Sequence, residues 1–460
     1  MLAAAVAALA GAAIPLPADA AVTGSSRFIP VMLVYYGGGP ALTAADAPRL
    51  AKYDLIDIDR FRYNQIGGST WAAIKAHNPK VEIYLYEMGA ESPSHLDVTG
   101  RENLNGLGRY DVARGHPMGS LNRDHPELYL RDSSGKRIYN TAFSNVGANQ
   151  YWYLMDFGAA SYQSYWVTAV KADIVDQPWV ADGVFVDNCL TFPAGASYNA
   201  TAVKYATDSA WSTAMNAFVS AIAAGVHGYG QKLWCNRGGS GAPNAAALWK
   251  ALDASADPPD VVLEEGAFAV EWGAPVQFYP EATWKNQVDM LGAITNSKIG
   301  LMSHTQLAPG QSGTDNWGKP VTFWQTFYYA LGSLLLGKNA QLNNAYLMFS
   351  SGTGYDRIIW YDEYDKLDLG KPLGAYSVTT SGGVNVYWRE FEKGYVAVNP
   401  TVNNVASLAL PQPAQRITHD NLLAPLASIP VVRAIGLPGH HAAILMKTAA
   451  SVASRSAPIY

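Results

Sequence analysis

Ala181-Asp182-Gly183-Val184-Phe185-Val186-Asp187-Asn188 is a short apolar run that ends abruptly in a carboxylate and an amide. A fully buried strand whose C-terminal end opens into a polar site has this form. Asp260-Val261-Val262-Leu263-Glu264-Glu265-Gly266 repeats the design further along the chain. Two strands that each end in acid can bring carboxylates together over the mouth of a parallel barrel, where barrel enzymes keep their chemistry. Two carboxyl groups in different surroundings can divide the work of breaking a glycosidic bond. One, kept protonated, gives its proton to the leaving oxygen, and the other attacks the sugar or activates water. Asp187 is the expected nucleophile or base, with Asn188 beside it as a donor to a sugar hydroxyl. Glu264 or Glu265 is the expected acid. Side chains alternate along a strand, so only one of the two faces inward. Glu264, the first acid after the apolar run, is the expected one. The competing reading makes these acids caps of the helices that follow, which helix N-termini favour.

A second set of residues fits substrate contacts. Asp57, Glu87, Asn236 and His304 stand at or near the ends of apolar runs, as does Asp59, and Asp59 with Glu87 forms a rival acid pair. For each, a structural hydrogen bond is the ordinary alternative. Tyr35, Tyr36, Trp234 and Trp272 are candidate platforms for sugar rings, against core packing as the default for aromatics.

Such residues need a scaffold of alternating strands and helices. Strand patterns run over Phe28–Tyr36, Leu55–Asp59, Val81–Tyr86, the Asp187 run, Lys232–Asn236, the Glu264 run, Ile299–His304 and Ala345–Phe349. Helical patterns fall between them at Trp71–His77, Ala159–Ile174, Ala202–Ala224, Ala245–Leu252, Gln287–Thr295 and Phe323–Leu336, with Asp156 and Asn244 as expected caps. This alternation predicts an α/β fold, a (β/α)8 TIM barrel over residues 28–365. The polar stretch from Glu91 to Thr141 reads as a long loop over its mouth. From Leu373 short β-type segments follow at close spacing, which predicts a small antiparallel β-sandwich domain over 366–449.

Composition narrows the alternatives. Of 460 residues, 49% are hydrophobic and 15% charged, enough for a large core and against disorder. A net charge of −5 supplies no basic field for nucleic acid. The N-terminal run from Met1 to Ala10, followed by Ala18-Asp19-Ala20, has the form of a signal peptide over residues 1–20, although no Lys or Arg precedes it. The protein is therefore expected to be secreted or periplasmic, with no membrane span. Cys189 and Cys235 end neighbouring strands, which leaves two options, a disulfide or two buried thiols. No zinc-protease helix, phosphate loop, dinucleotide fingerprint or calcium loop is present, and Gly238-Gly239-Ser240-Gly241-Ala242 lacks the last glycine of a serine-hydrolase elbow. No cofactor and no metal is expected.

Several short segments together carry a resemblance. They are His125-Pro126-Glu127-Leu128-Tyr129-Leu130-Arg131-Asp132 with Gly135, the Asp182–Asn188 strand, Leu369-Gly370-Lys371-Pro372-Leu373-Gly374, and Arg389-Glu390-Phe391-Glu392-Lys393-Gly394-Tyr395-Val396-Ala397-Val398-Asn399-Pro400-Thr401. In this order they resemble the hypothetical glycosyl hydrolase group of bacterial and plant barrel proteins. The resemblance implies a barrel, a C-terminal β-domain and action on carbohydrate. Two functions follow as expectations: a glycoside hydrolase acting on a polysaccharide or oligosaccharide, or a carbohydrate-binding barrel without catalysis. Fold alone does not separate them. The sugar, the linkage and the oligomeric state stay open.

Overall fold

The structure, a computed structural model, describes residues 24–35, 42–58, 68–96, 102–103, 125–146, 151–176, 181–273, 275–352 and 354–448. The expected signal peptide over residues 1–20, Tyr36 and Asp59 lie outside these residues. Eight parallel strands follow in chain order around one sheet: β1 (Met32–Tyr35), β2 (Leu55–Ile58), β3 (Glu82–Met88), β4 (Gly183–Asp187), β5 (Lys232–Asn236), β6 (Val261–Glu265), β7 (Lys298–Thr305) and β8 (Ala345–Ser351). A parallel bridge from Val31 to Leu347 joins the last strand to the first, and the Leu347 N–H donates to the Pro30 carbonyl at 2.9 Å. Between the strands run α1 (Ala47–Leu50), α2 (Gly68–His77), α3 (Ala160–Val170), α4 (Asp208–His227), α5 (Ala245–Asp253), α6 (Glu281–Ala293) and α7 (Phe323–Gly337), and α8 (Asp362–Lys366) follows β8. The expected (β/α)8 barrel is therefore the fold.

Two expected caps act differently. Asp156 accepts from Lys204 Nζ at 2.7 Å and the Tyr205 hydroxyl at 2.6 Å, and α3 begins after Ala159 instead. Asn244 precedes α5 without a side-chain cap bond. Helix α4 starts at Asp208 rather than Ala202, where Thr207 accepts from the Ala210 N–H.

The period of two along each strand decides what fills the barrel. Glu82 on β3 pairs with Lys232 on β5 and, at 2.5 Å, with Lys298 on β7. These strands are not neighbours in the sheet, so the three side chains meet across the interior, one layer contributed by alternate strands. Two residues on, Tyr84 meets Trp234 edge to face at 5.3 Å, and Phe185 packs against both Trp234 and Tyr86. Two residues further on, the same inner face presents Tyr86, Asp187, Asn236 and Glu265 at the C-terminal ends of β3 to β6. The polar top of the barrel is thus set in phase by the charged layer at its floor.

Behind the barrel lie β9 (Ser377–Ser381), β10 (Val384–Glu390), β11 (Gly394–Asn399), β12 (Val405–Ile417), β13 (Val431–Leu437) and β14 (His441–Lys447). They form one antiparallel sheet in the order β9-β10-β11-β14-β12-β13. Gly382 and Gly383, at φ 60° and 80°, make the tight turn between β9 and β10. This sheet rests on α7, where a Cβ at Gly332 would stand 2.6 Å from Ala442. Arg389 fastens the contact: its Nη1 donates to the carbonyls of Leu335, Leu336 and Lys338 at the C-terminal end of α7. Those carbonyls have no partner within the helix and carry its partial negative charge.

Candidate active site

Asp187 ends β4 and stays partly exposed. It accepts three hydrogen bonds. The Tyr86 hydroxyl donates to Oδ2 at 2.6 Å, and Oδ1 accepts from the Asn188 backbone N–H at 2.8 Å and from Asn236 Nδ2 at 2.9 Å. Asn188 is held at φ 57°, the left-handed region that asparagine tolerates better than most residues. Asn236 Nδ2 also donates to Glu265 Oε2 at 2.6 Å. The structure therefore joins Asp187, Asn236 and Glu265 in one network.

The two adjacent glutamates part company. Val261, Leu263 and Glu265 share the inner face of β6, and Glu264 falls on the outer face with Val262. Glu264 is buried and accepts the Ser240 N–H at 2.5 Å. It pins the turn at Gly238 and Gly239, whose φ values of 56° and 76° suit glycine. Glu265, not the expected Glu264, is thus the partner the structure gives Asp187. The end of an apolar run does not reveal strand phase; the pairing of Val261 with the inward Trp234 does.

Surroundings set the two carboxyls of the network apart. Burial, and then the negative charge of Asp187, push Glu265 up to about 8, against the opposing hydrogen bond from Asn236. Glu265 is therefore mainly protonated at neutral pH, the state a proton donor needs. Burial likewise raises Glu264, but its hydrogen bonds to the 239–240 turn use it as a brace.

A cavity of about 810 Å³ opens beside this network, lined by Asn188, Asn236, Glu264, Glu265, Trp272 and Tyr355 among others. Trp272 is 51% exposed and lies parallel to His304 at 4.7 Å and to Tyr355 at 6.0 Å. His304 is buried and bonds through Nε2 to the Gly352 carbonyl at 2.9 Å; burial lowers its pKa and keeps the ring neutral. His304 thus supports the platform from beneath. Phe143, 58% exposed and packed on Trp152, lines another part of the cavity.

Other expected contacts fall elsewhere. Asp57 faces the barrel interior at the level of Tyr84 and is fully buried below the cavity. Glu87 pairs in register with Val186 on the outer face of the sheet and is fully buried, so it does not reach the cavity. Tyr35 and Trp234 are core residues with no exposed surface. Cys189 and Cys235 are buried free thiols. Tyr86 and Glu91 were not anticipated. Tyr86 could have been found by continuing the alternation from Glu82, whereas nothing in the pattern near Glu91 marks it.

A family model described as "Hypothetical glycosyl hydrolase family 15" matches residues 75–395. Among solved structures, a mutant of MutB in complex with the substrate sucrose aligns at 10% identity over 92% of this chain and 100% of that one, with a TM-score of 0.48. A variant of the GH36 alpha-galactosidase AgaA from Geobacillus stearothermophilus, in complex with 1-deoxygalactonojirimycin, aligns at 9% identity over 92% of this chain, with a TM-score of 0.44. The chain spans 56% of that galactosidase's length. No curated protein matches the sequence.

Proposed function

The chain belongs to hypothetical glycosyl hydrolase family 15, and from that premise we propose that the mouth of its barrel is the active site of a retaining glycoside hydrolase, with Asp187 as nucleophile and Glu265 as acid and base. The observation that carries this reading is the single amide shared by the two carboxyls. Both bond to Asn236 Nδ2, so their nearest oxygens lie no more than about 5.5 Å apart. So close an approach favours a retaining glycosidase, whose carboxyls lie about 5–5.5 Å apart, over an inverting one, which leaves about 6.5–9.5 Å for a water.

In the first step an Asp187 oxygen bonds to the anomeric carbon. The bond from that carbon to the leaving oxygen breaks, and the Glu265 proton goes to that oxygen. In the second step the Glu265 carboxylate takes a proton from water, the water oxygen bonds to the anomeric carbon, and the ester to Asp187 breaks. Tyr86, Asn188 and Asn236 hold Asp187 in place, and Trp272 offers an apolar face to a sugar ring. A polysaccharide or oligosaccharide is the substrate in this reading. The apolar leader ending at Ala18-Asp19-Ala20 supports export.

Release of reducing ends from a panel of bacterial and plant polysaccharides, with wild type beside Asp187→Asn, tests the proposal. Release by the wild type and its loss in the variant support it. Sugar binding by both proteins with cleavage by neither would instead make the barrel a carbohydrate-binding module.

A further inference from the structure

Glu91 opens the strand Glu91–Leu96 after β3 and has no exposed surface. Three separate stretches of chain converge on its carboxyl. Oε1 accepts from Asn140 Nδ2 at 3.1 Å and from the Tyr198 hydroxyl at 2.9 Å, and Oε2 accepts from Asn188 Nδ2 at 3.1 Å. Asn140 and Asn188 both line the cavity, and the Asn188 N–H is bonded to Asp187. One buried acid is therefore a single residue removed from the nucleophile assigned above.

A primary amide has one donor end and one acceptor end. While Glu91 takes the donor end of Asn188, the carbonyl oxygen must point away from it. We propose that Glu91 is a positioning residue: by accepting the Asn188 amide it turns the Asn188 Oδ1 toward the cavity as an acceptor for a substrate hydroxyl. The substrate contact rests on the glycosidase reading; the coupling between Glu91 and Asn188 does not. All three neighbours donate to Glu91, an arrangement that suits a carboxylate. A proton on Glu91 would need an acceptor; the Asn140 side-chain carbonyl is held by the Ala142 N–H at 3.0 Å, which leaves Asn188 to supply one by rotating its carbonyl inward. The groups that face Glu91 are Asp187, whose charge raises it, the Tyr198 hydroxyl, and the neutral amides of Asn140 and Asn188. Burial is the largest influence and lifts Glu91 to about 7, which places the rotation near neutral pH.

The test follows the Asn188 side-chain amide in protein labelled with 15N-asparagine, its signal identified by its loss in Asn188→Asp, from pH 5 to pH 9. The wild type is expected to show a midpoint near neutral pH that disappears in Glu91→Gln. No midpoint in the wild type, or the same midpoint in Glu91→Gln, would overturn the proposal. In turnover, Glu91→Gln is expected to lower kcat/KM roughly tenfold, the equivalent of one misdirected hydrogen bond. The double variant Glu91→Gln/Asn188→Asp exchanges donor and acceptor and is expected to recover most of that loss. A double variant slower than either single one would reduce Glu91 to a purely structural role. Failure of the wild type to cleave any glycoside would sink the glycosidase reading, and the amide titration would still decide the role of Glu91.

Discussion

Asp187 and Glu265 accept hydrogen bonds from the same nitrogen, the side-chain amide of Asn236, at 2.9 Å and 2.6 Å. The amide holds two acids at close quarters, and their mutual repulsion is part of what keeps Glu265 protonated. As pH rises through about 8 the donor loses its proton. Turnover is therefore expected to fall on the alkaline side with a midpoint near that value, read from kcat/KM against pH. Removing the Asp187 charge should lower the Glu265 midpoint. Titration of a 13C-labelled Glu265 in Asp187→Asn checks this, and an unchanged or higher midpoint would contradict it.

Glu264 and Glu265 are neighbours in the chain on opposite faces of β6. Glu265→Gln is expected to reduce turnover of substrates with poor leaving groups by roughly 10²–10⁴-fold, the range for loss of a general acid. Glu264→Gln keeps the shape of the brace on the Ser240 N–H and is expected to stay within about tenfold of wild type. A reversal of these two effects would return the acid to Glu264.

Trp272 presents one half-exposed face and is fixed by the stack on His304. Trp272→Ala is expected to raise KM about tenfold with little change in kcat or Tm, because an exposed ring adds little to the fold. His304→Ala should lower Tm as well, since it removes a buried ring. Unaltered KM in Trp272→Ala would show that Trp272 is not a sugar platform.

Stability should carry the mark of the site. Glu265 and Glu91 hold protons in the folded protein that an unfolded chain releases near the usual carboxylate range. Between that range and about 7 for Glu91, or about 8 for Glu265, the folded state binds more protons, so these two groups make stability fall as pH rises. Glu265→Gln abolishes its share. Its Tm is expected to exceed that of the wild type by a few degrees at pH 9 and to match it near pH 5. Equal Tm differences at both pH values would contradict the protonated state of Glu265.

The barrel was legible because its strands are continuous apolar runs separated by helical periods, and each of the eight runs became a strand. Asp187 was legible as the first polar residue after such a run. The choice between Glu264 and Glu265 was not resolved by the same rule. A one-residue change of phase exchanges the inner and outer faces, and the sequence alone does not say whether Val261 or Val262 faces inward; the fold does. Glu87 misled in the same way: it follows an apolar run, but Glu82, Tyr84 and Tyr86 occupy the inner face. Glu91 had no local signature, because its partners Asn140, Asn188 and Tyr198 come from distant stretches that only the fold brings together.

The proposed chemistry turns on Asp187 as nucleophile and Glu265 as acid and base. The most direct measurement is peptide mass spectrometry of Glu265→Ala after incubation with an activated aryl glycoside of the sugar that the wild type cleaves. Without the base, the second step slows and the ester accumulates. A mass increase of one glycosyl unit is expected on the peptide that contains Asp187, removed by added azide as a glycosyl azide of retained configuration. A glycosyl unit on a different residue, or a cleavage product of inverted configuration from the wild type, would contradict it.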